Sequence, residues 1–227
     1  MIPLFVYGSG GHAREVFEVI RCLNDERPQY RFLGWIDDHV DRCGAMVKGY
    51  RVLDWPTAMG VMPTNGQVFI AIGAPAARRR VASLLEAASI PSPALVHPRA
   101  WVGGQVALGP GTQVAAGAMM STDVTTGRHV IINQGCTVAH DVRLGDFATL
   151  APGASLSGNV TTEEGADVGT GAVVIQGLRL GAWSVVGAGA VVTQSVPANA
   201  TVVGVPAQVI RQRPAGWHEC TSDMVSP

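Results

Sequence analysis

One register runs through the C-terminal half of the chain and dictates most of what it can fold into. Every sixth residue from Val96 to Val192 is aliphatic or Met, with Thr126 and Thr162 the two exceptions. The position four residues after each, from Ala100 to Val196, is small or β-branched throughout, apart from Leu178. The frame does not slip over about a hundred residues. An ordinary sandwich strand alternates with period two and could imitate part of this, but its turns would break a six-residue frame. Each hexapeptide is read as one short strand and one corner, with the aliphatic residue pointing inward. Three units, eighteen residues, close a triangular coil, and stacked coils bury a continuous apolar column. The seventeen units make between five and six coils. Gly103, Gly109, Gly127, Gly145, Gly169, Gly181 and Gly187 fall beside the corners. There the backbone needs either positive φ or close approach to its neighbour.

Residues 1–93 carry a different pattern. Leu4–Tyr7 is a strand candidate, Gly8-Ser9-Gly10-Gly11-His12 a turn, and Ala13–Leu23 a helix with Val16, Val19, Ile20 and Leu23 on one face. Arg31–Ile36 and Gln67–Ile72 are further strands, and Ala76–Ala88 a second helix. Strands alternating with helices imply a parallel sheet. Gly8-x-Gly10-x-x-Ala13 between strand and helix, with Asp37 ending the second strand, fits a dinucleotide fingerprint. The turn leaves helix N-terminal amides open to an anion. So short a domain supplies only half of a full dinucleotide fold, which disfavours a dehydrogenase and suits a mononucleotide. The expected organisation is therefore 1–93, an α/β Rossmann-like half domain; 94–210, a parallel β-helix; and 211–227, a tail.

Composition excludes several classes. Hydrophobic residues make up 47% and charged residues 15%, which gives a core and argues against disorder. A net charge of −1 lacks the basic stripe of a nucleic-acid binder. Cys22, Cys43, Cys136 and Cys220 form no CxxC pair, so neither a zinc knuckle nor a redox motif is present, and their scatter suits a reducing compartment. The N-terminus has no basic leader region, and no apolar run is long enough to cross a membrane. A soluble cytoplasmic protein is expected.

Of the six histidines, His140 stands out by its place in the frame. It lies in Val138-Ala139-His140-Asp141, two residues after an inward valine, so it faces outward beside an acid. A neighbouring carboxylate can fix a histidine's tautomer and raise its basicity. On position alone it is either a general base or a solvated surface histidine. His39, His129 and His218 are read as surface, His97 as structural at the start of the first coil, and His12 as the end of the Gly-rich turn. Gly158 is eighteen residues after His140, hence directly above it, where backbone amides could hold an oxyanion.

The six-residue frame, with Val203-Gly204-Val205-Pro206-Ala207 at its end, resembles the hexapeptide-repeat acyltransferases. That resemblance, not the spacing, implies a left-handed β-helix and a homotrimer with acetyl-CoA bound between neighbouring helices. Gly-Ser-Gly-Gly-His-Ala at 8–13, the acids Asp37 and Asp38, and Ala71-Ile72-Gly73 ahead of such a helix are similar to sugar acetyltransferases that modify nucleotide-linked 4-amino-4,6-dideoxy sugars. Sialic acid O-acetyltransferases are relatives. The resemblance implies an acetyl-CoA-dependent transfer with His140 as base and Asp141 supporting its ring; no Cys or Ser is placed as an evident nucleophile, so no acyl-enzyme is expected. It places substrate on Gly10, Gly11, His12, Asp37, Asp38, Gly73 and Asn133. It places acetyl-CoA near Thr149, Gly158, Gly187, Ala188, Gly204 and Pro206. Relatives often carry a second histidine where this chain has Thr149, which cannot titrate. Amine and hydroxyl acceptors are not separable, since both use a histidine base. A zinc hydratase of the γ-carbonic anhydrase type would need a third histidine beside His129 and His140, so no metal is expected. A non-catalytic assembly module is the remaining alternative.

Overall fold

The computed structural model describes residues 1–219, in two compact units that divide between Pro98 and Arg99. Cys220 lies outside the described residues. In the first unit β1 (Ile2–Tyr7), α1 (Gly11–Glu26), β2 (Tyr30–Ile36), β3 (Met46–Val47), β4 (Tyr50–Leu53), α2 (Trp55–Val61), β5 (Gln67–Ile70) and α3 (Pro75–Ala87) follow in order. The sheet order is β3-β4-β2-β1-β5, parallel except for the β3–β4 hairpin. β1 is buried almost throughout, and Val16, Val19 and Ile20 of α1 pack with Leu4, Val6, Trp35 and Phe69. The hairpin and α2 extend the layout expected from the sequence. Asp54 caps α2 by accepting from Thr57 N at 2.8 Å.

The second unit is a left-handed parallel β-helix of two-residue strands. The first face stacks Gln113–Val114, Ile131–Ile132, Thr149–Leu150, Asp167–Val168 and Val185–Val186. The second runs from Trp101–Val102 through Met119–Met120, Thr137–Val138, Ser155–Leu156 and Val173–Val174 to Val191–Val192. The third holds Thr125–Thr126, Arg143–Leu144, Thr161–Thr162 and Arg179–Leu180. Ile131 pairs with Thr149 and Thr137 with Ser155, an eighteen-residue coil. From Val114 to Val192 the aliphatic residues of the inward column are buried, and each such side chain contributes about 1.5–3 kcal/mol. The two exceptions to the frame have partners. Thr126 Oγ1 accepts from Gly109 N at 2.9 Å and Thr162 Oγ1 from Gly145 N at 3.2 Å. Ala200–Val203 and the antiparallel strand Gln208–Gln212 end the helix, with Val203–Ala207 turning between them.

The structure separates two backbone demands that the sequence leaves joined. Left-handed φ occurs at every sixth residue from Gln105 to Gly189. The corner glycines lie two residues before such positions and are needed for close approach instead. A Cβ on Gly109 would stand 2.2 Å from Gly127 O and 2.5 Å from its carbonyl carbon. Since backbone of the next coil cannot yield as a side chain can, Gly109→Ala is expected to cost about 3 kcal/mol. That is a fall in Tm of about 6–12 °C in a chain of this size. An unchanged melting curve would contradict this reading.

No helix among the described residues is long and apolar enough to cross a membrane.

Candidate active site

The carboxyl ends of the central strands of the first unit converge on one cleft of about 720 Å³. The turn after β1 contributes Gly10, Gly11 and His12; the loop after β2, Asp37, Asp38 and His39; the loop after β5, Gly73. Such a position, where the order reverses about β1, is where open α/β sheets hold ligands. Gly8 has φ +107, and a Cβ there would stand 2.7 Å from Ala71 O, so the first and last of these loops meet only because residue 8 is glycine. Tyr7, Arg42 and Arg80 also line the cleft. They belong to no sequence fingerprint, so the sequence does not mark them.

The two acids differ in what they can still do. Asp37 is buried, and its Oδ2 accepts from Ser9 N at 3.0 Å, Ser9 Oγ at 2.6 Å and Arg42 Nη1 at 3.1 Å. Its Oδ1 accepts from His39 N at 3.1 Å. Asp37 therefore braces the Gly-rich turn against the loop after β2, and its acceptor capacity is largely taken. Asp38 is exposed and accepts from Tyr7 Oη, at 2.6 Å to each oxygen. Burial first, and then Asp38, push the Tyr7 phenol above its ordinary value, so it remains a protonated donor.

For Asp37, burial raises the carboxyl pKa, but the hydrogen bonds from Ser9, His39 and Arg42 outweigh it and leave a net lowering. A lowered folded value means that Asp37 stabilises the fold above the ordinary carboxylate range, near pH 4. That contribution is lost as pH falls through the folded value. Asp37→Asn is expected to lower Tm at neutral pH and to flatten the acid limb of the Tm–pH profile. A variant whose acid limb matches the parent's would contradict the brace.

In the second unit His140 sits at the corner between the second and third faces, its side chain 63% exposed. Nδ1 lies 2.8 Å from Asp141 Oδ2. Asp141 occupies a left-handed position, φ 60, which aspartate tolerates better than most residues. One coil above, Gly158 leaves room for the ring: a Cβ there would stand 2.6 Å from both Cε1 and Nε2. Asn159 N donates to His140 O at 2.9 Å, which ties the two coils together at this corner. With Nδ1 directed to the carboxylate, Nε2 lies over Gly158 and has no hydrogen-bond partner among the described residues. At this exposure the contact adds little stability. Its effect is to set which nitrogen carries the lone pair.

The other expected residues lie elsewhere. Asn133 is buried at the corner between the first and second faces and donates Nδ2 to Leu150 O at 2.9 Å, so its amide serves the wall. Gly187, Ala188, Gly204 and Pro206 gather at the top of that same corner, where Gly187 N donates to Val202 O at 2.8 Å and Val191 N to Gly204 O at 3.0 Å. Thr149 is buried on the first face. His140 and the Gly187–Pro206 corner thus flank opposite edges of the second face.

Two histidines read as surface are buried. His129 stacks parallel to Phe147 at 5.7 Å, and His218 stacks on Trp183 at 3.6 Å. His129 stands at the corner between the third and first faces, away from the corner that carries His140, so the two are not a metal pair. No cluster of three metal-ligating residues occurs among the described residues. Cys136 is buried, and burial pushes its thiol up to about 11, which makes it an inert wall residue.

Residues 3–85 match the family model described as the PglD N-terminal domain. No curated protein matches the chain at the sequence level. Among solved structures, a mutant perosamine N-acetyltransferase from Caulobacter crescentus in complex with CoA and GDP-perosamine is 32% identical. The match covers 92% of this chain and 97% of that one, with a TM-score of 0.84. WeeI from Acinetobacter baumannii AYE is 32% identical over 92% of this chain and 100% of its own, TM-score 0.85. The acetyltransferase domain of PglB from Neisseria gonorrhoeae FA1090 is 30% identical over 92% and 99%, TM-score 0.82. The chain belongs to the hexapeptide-repeat sugar N-acetyltransferases.

Proposed function

We propose that this chain transfers the acetyl group of acetyl-CoA to the amine of a nucleotide-linked amino sugar of the 4-amino-4,6-dideoxyhexose type. The observation that carries the proposal is His140 held at Nδ1 by Asp141 with Nε2 open over Gly158. The sugar amine attacks the thioester carbonyl and gives its proton to Nε2, while Asp141 stabilises the ring as it becomes positive. Charge building on the thioester oxygen is met by the Gly158 amide, which makes no hydrogen bond among the described residues. The product is an amide, the CoA thiolate takes the proton back from Nε2 and leaves as thiol, and no covalent enzyme intermediate is needed.

The nucleotide occupies the cleft of the first unit. Its phosphates face the Gly10–His12 turn and Arg42 and Arg80, and its hydroxyls or base face Asp38. Acetyl-CoA takes the corner of Gly187, Ala188, Gly204 and Pro206. That corner and His140 edge the same face, so two copies meeting across it would bring one chain's base to the other's donor corner. Four of the six outward residues of this face are apolar, Trp101, Met119, Val173 and Val191, with Trp101 55% and Met119 51% exposed, while Thr137 and Ser155 between them are hydrogen-bonded to each other. Such a head-to-tail contact closes a ring, here a homotrimer. Light scattering reads three chains per particle on this account, and a fully active monomer would overturn it. A cytoplasmic location fits the free thiols of Cys22, Cys43 and Cys136 and the supply of acetyl-CoA.

A non-catalytic module on the same helix has no reason to bind either substrate. Acetyl-CoA and a nucleotide-linked amino sugar are therefore each expected to raise Tm, by about 2.7 kcal/mol of linkage at a hundredfold excess over Kd. Absence of both shifts would favour the scaffold.

A further inference from the structure

The first unit holds a charged residue where its helix pattern calls for an apolar one. Arg78, Val81, Ala82 and Leu85 are the buried positions of α3, and Arg78 is only 1% exposed. Removing a guanidinium from water costs several kcal/mol unless its donors are satisfied. Here Nη1 donates to Ile72 O at 2.9 Å and to Gly73 O at 2.7 Å. Both carbonyls belong to the loop after β5, and Ile72 and Gly73 line the cleft.

A trans peptide is planar, with its C=O and N–H pointing in opposite directions. Drawing the Ile72 and Gly73 carbonyls down onto Arg78 therefore turns the Gly73 and Ala74 amides away from it. Both residues are exposed, and neither amide makes a hydrogen bond among the described residues. Gly73 lines the cleft together with Arg42 and Arg80, and Ala74 follows it in the chain, so two successive oriented N–H groups there suit an anionic oxygen. Gly8 closes the loop from the other side, since Ala71 O lies against it. The loop is thus fixed at both ends, by a glycine contact and by a buried cation.

We infer that Arg78 is a positioning residue for substrate binding: it fixes the loop after β5 so that the Gly73 and Ala74 amides receive a phosphate of the nucleotide-linked substrate. The inference rests on the nucleotide reading of the cleft but concerns a residue that never touches ligand. Arg78→Met fills the same volume without donors, and Arg78→Lys restores a donor that can reach the carbonyls.

The test measures KM for both substrates and kcat in the parent, Arg78→Met and Arg78→Lys. Calorimetric titration adds Kd for UDP, GDP and dTDP. Expected for Arg78→Met is a rise of tenfold or more in KM for the nucleotide sugar and in Kd for the best nucleoside diphosphate, about 1.4 kcal/mol or more. KM for acetyl-CoA and kcat should stay within about threefold, and Arg78→Lys should recover most of the loss. A folded Arg78→Met with unchanged Kd overturns the inference while leaving the nucleotide reading intact. No binding of any of the three by the parent overturns both. If Arg78→Met does not fold, hydrogen exchange on the parent decides. Slowed exchange over residues 72–77 with bound nucleoside diphosphate supports the inference, and unchanged exchange there overturns it.

Discussion

Replacing His140 with Asn is expected to lower kcat about 10²–10⁴-fold, the usual contribution of a positioned general base. Asn keeps the outward polar character of the site and can still face Asp141, but it cannot take a proton. Since the parent side chain is 63% exposed, its loss removes little packing. Tm and assembly mass should match the parent's. The KM values should change little, because the interaction removed acts on the proton that leaves during the chemical step. A variant with near-parental kcat would show that proton removal does not run through this ring.

Gly158→Ala is expected to cost about 10²-fold in kcat with little change in Tm, the scale of a misplacement of about 1 Å. The added Cβ would stand 2.6 Å from Cε1 and Nε2. Those atoms are the free end of a rotatable side chain, so the imidazole swings away instead of the coil giving way. This contrasts with Gly109, where the obstructing atoms are backbone and the penalty falls on stability. Alanine retains the residue 158 amide, so a loss here reports the position of the base and not the removal of an oxyanion donor. Stopped-flow detection of free CoA thiol gives kcat directly. Full activity would mean that the ring does not work from the pose over Gly158.

The helix was legible in the sequence because its inward column obeys one physical rule for each hexapeptide. That frame also placed Gly158 over His140, since paired coils put residues eighteen apart in register. The aromatic corner was not legible. His129, Phe147 and Trp183 hold left-handed φ of 53, 58 and 57, a region that bulky residues seldom enter, so the sequence gives His129 no sign of burial. Their spacing was the missed signal. Positions 111, 129, 147, 165 and 183 form one column, and Gly165 is empty where the Trp183 indole lies, 2.3 Å from a Cβ built there. In the first unit the Gly-rich turn announced the cleft, whereas the β3–β4 hairpin did not. It turns at Lys48-Gly49, with φ 50 and 82, and only the glycine advertises such a bend. Arg78 went unnoticed for the opposite reason. An arginine on a helix is read as solvated, and only its place in the column with Val81 and Leu85 marks it as buried.

The identity of the product tests the proposed acetyl transfer most directly. The protein is incubated with acetyl-CoA and UDP-, GDP- or dTDP-linked sugars that carry either a free 4-amine or only hydroxyls, and the products are resolved by mass spectrometry. The predicted result is one acetyl group on an amino sugar, in an amide that survives mild alkali, with transfer falling by orders of magnitude in the Asn variant at His140. An alkali-labile ester on a hydroxyl sugar, or transfer to no nucleotide-linked sugar at all, would contradict it.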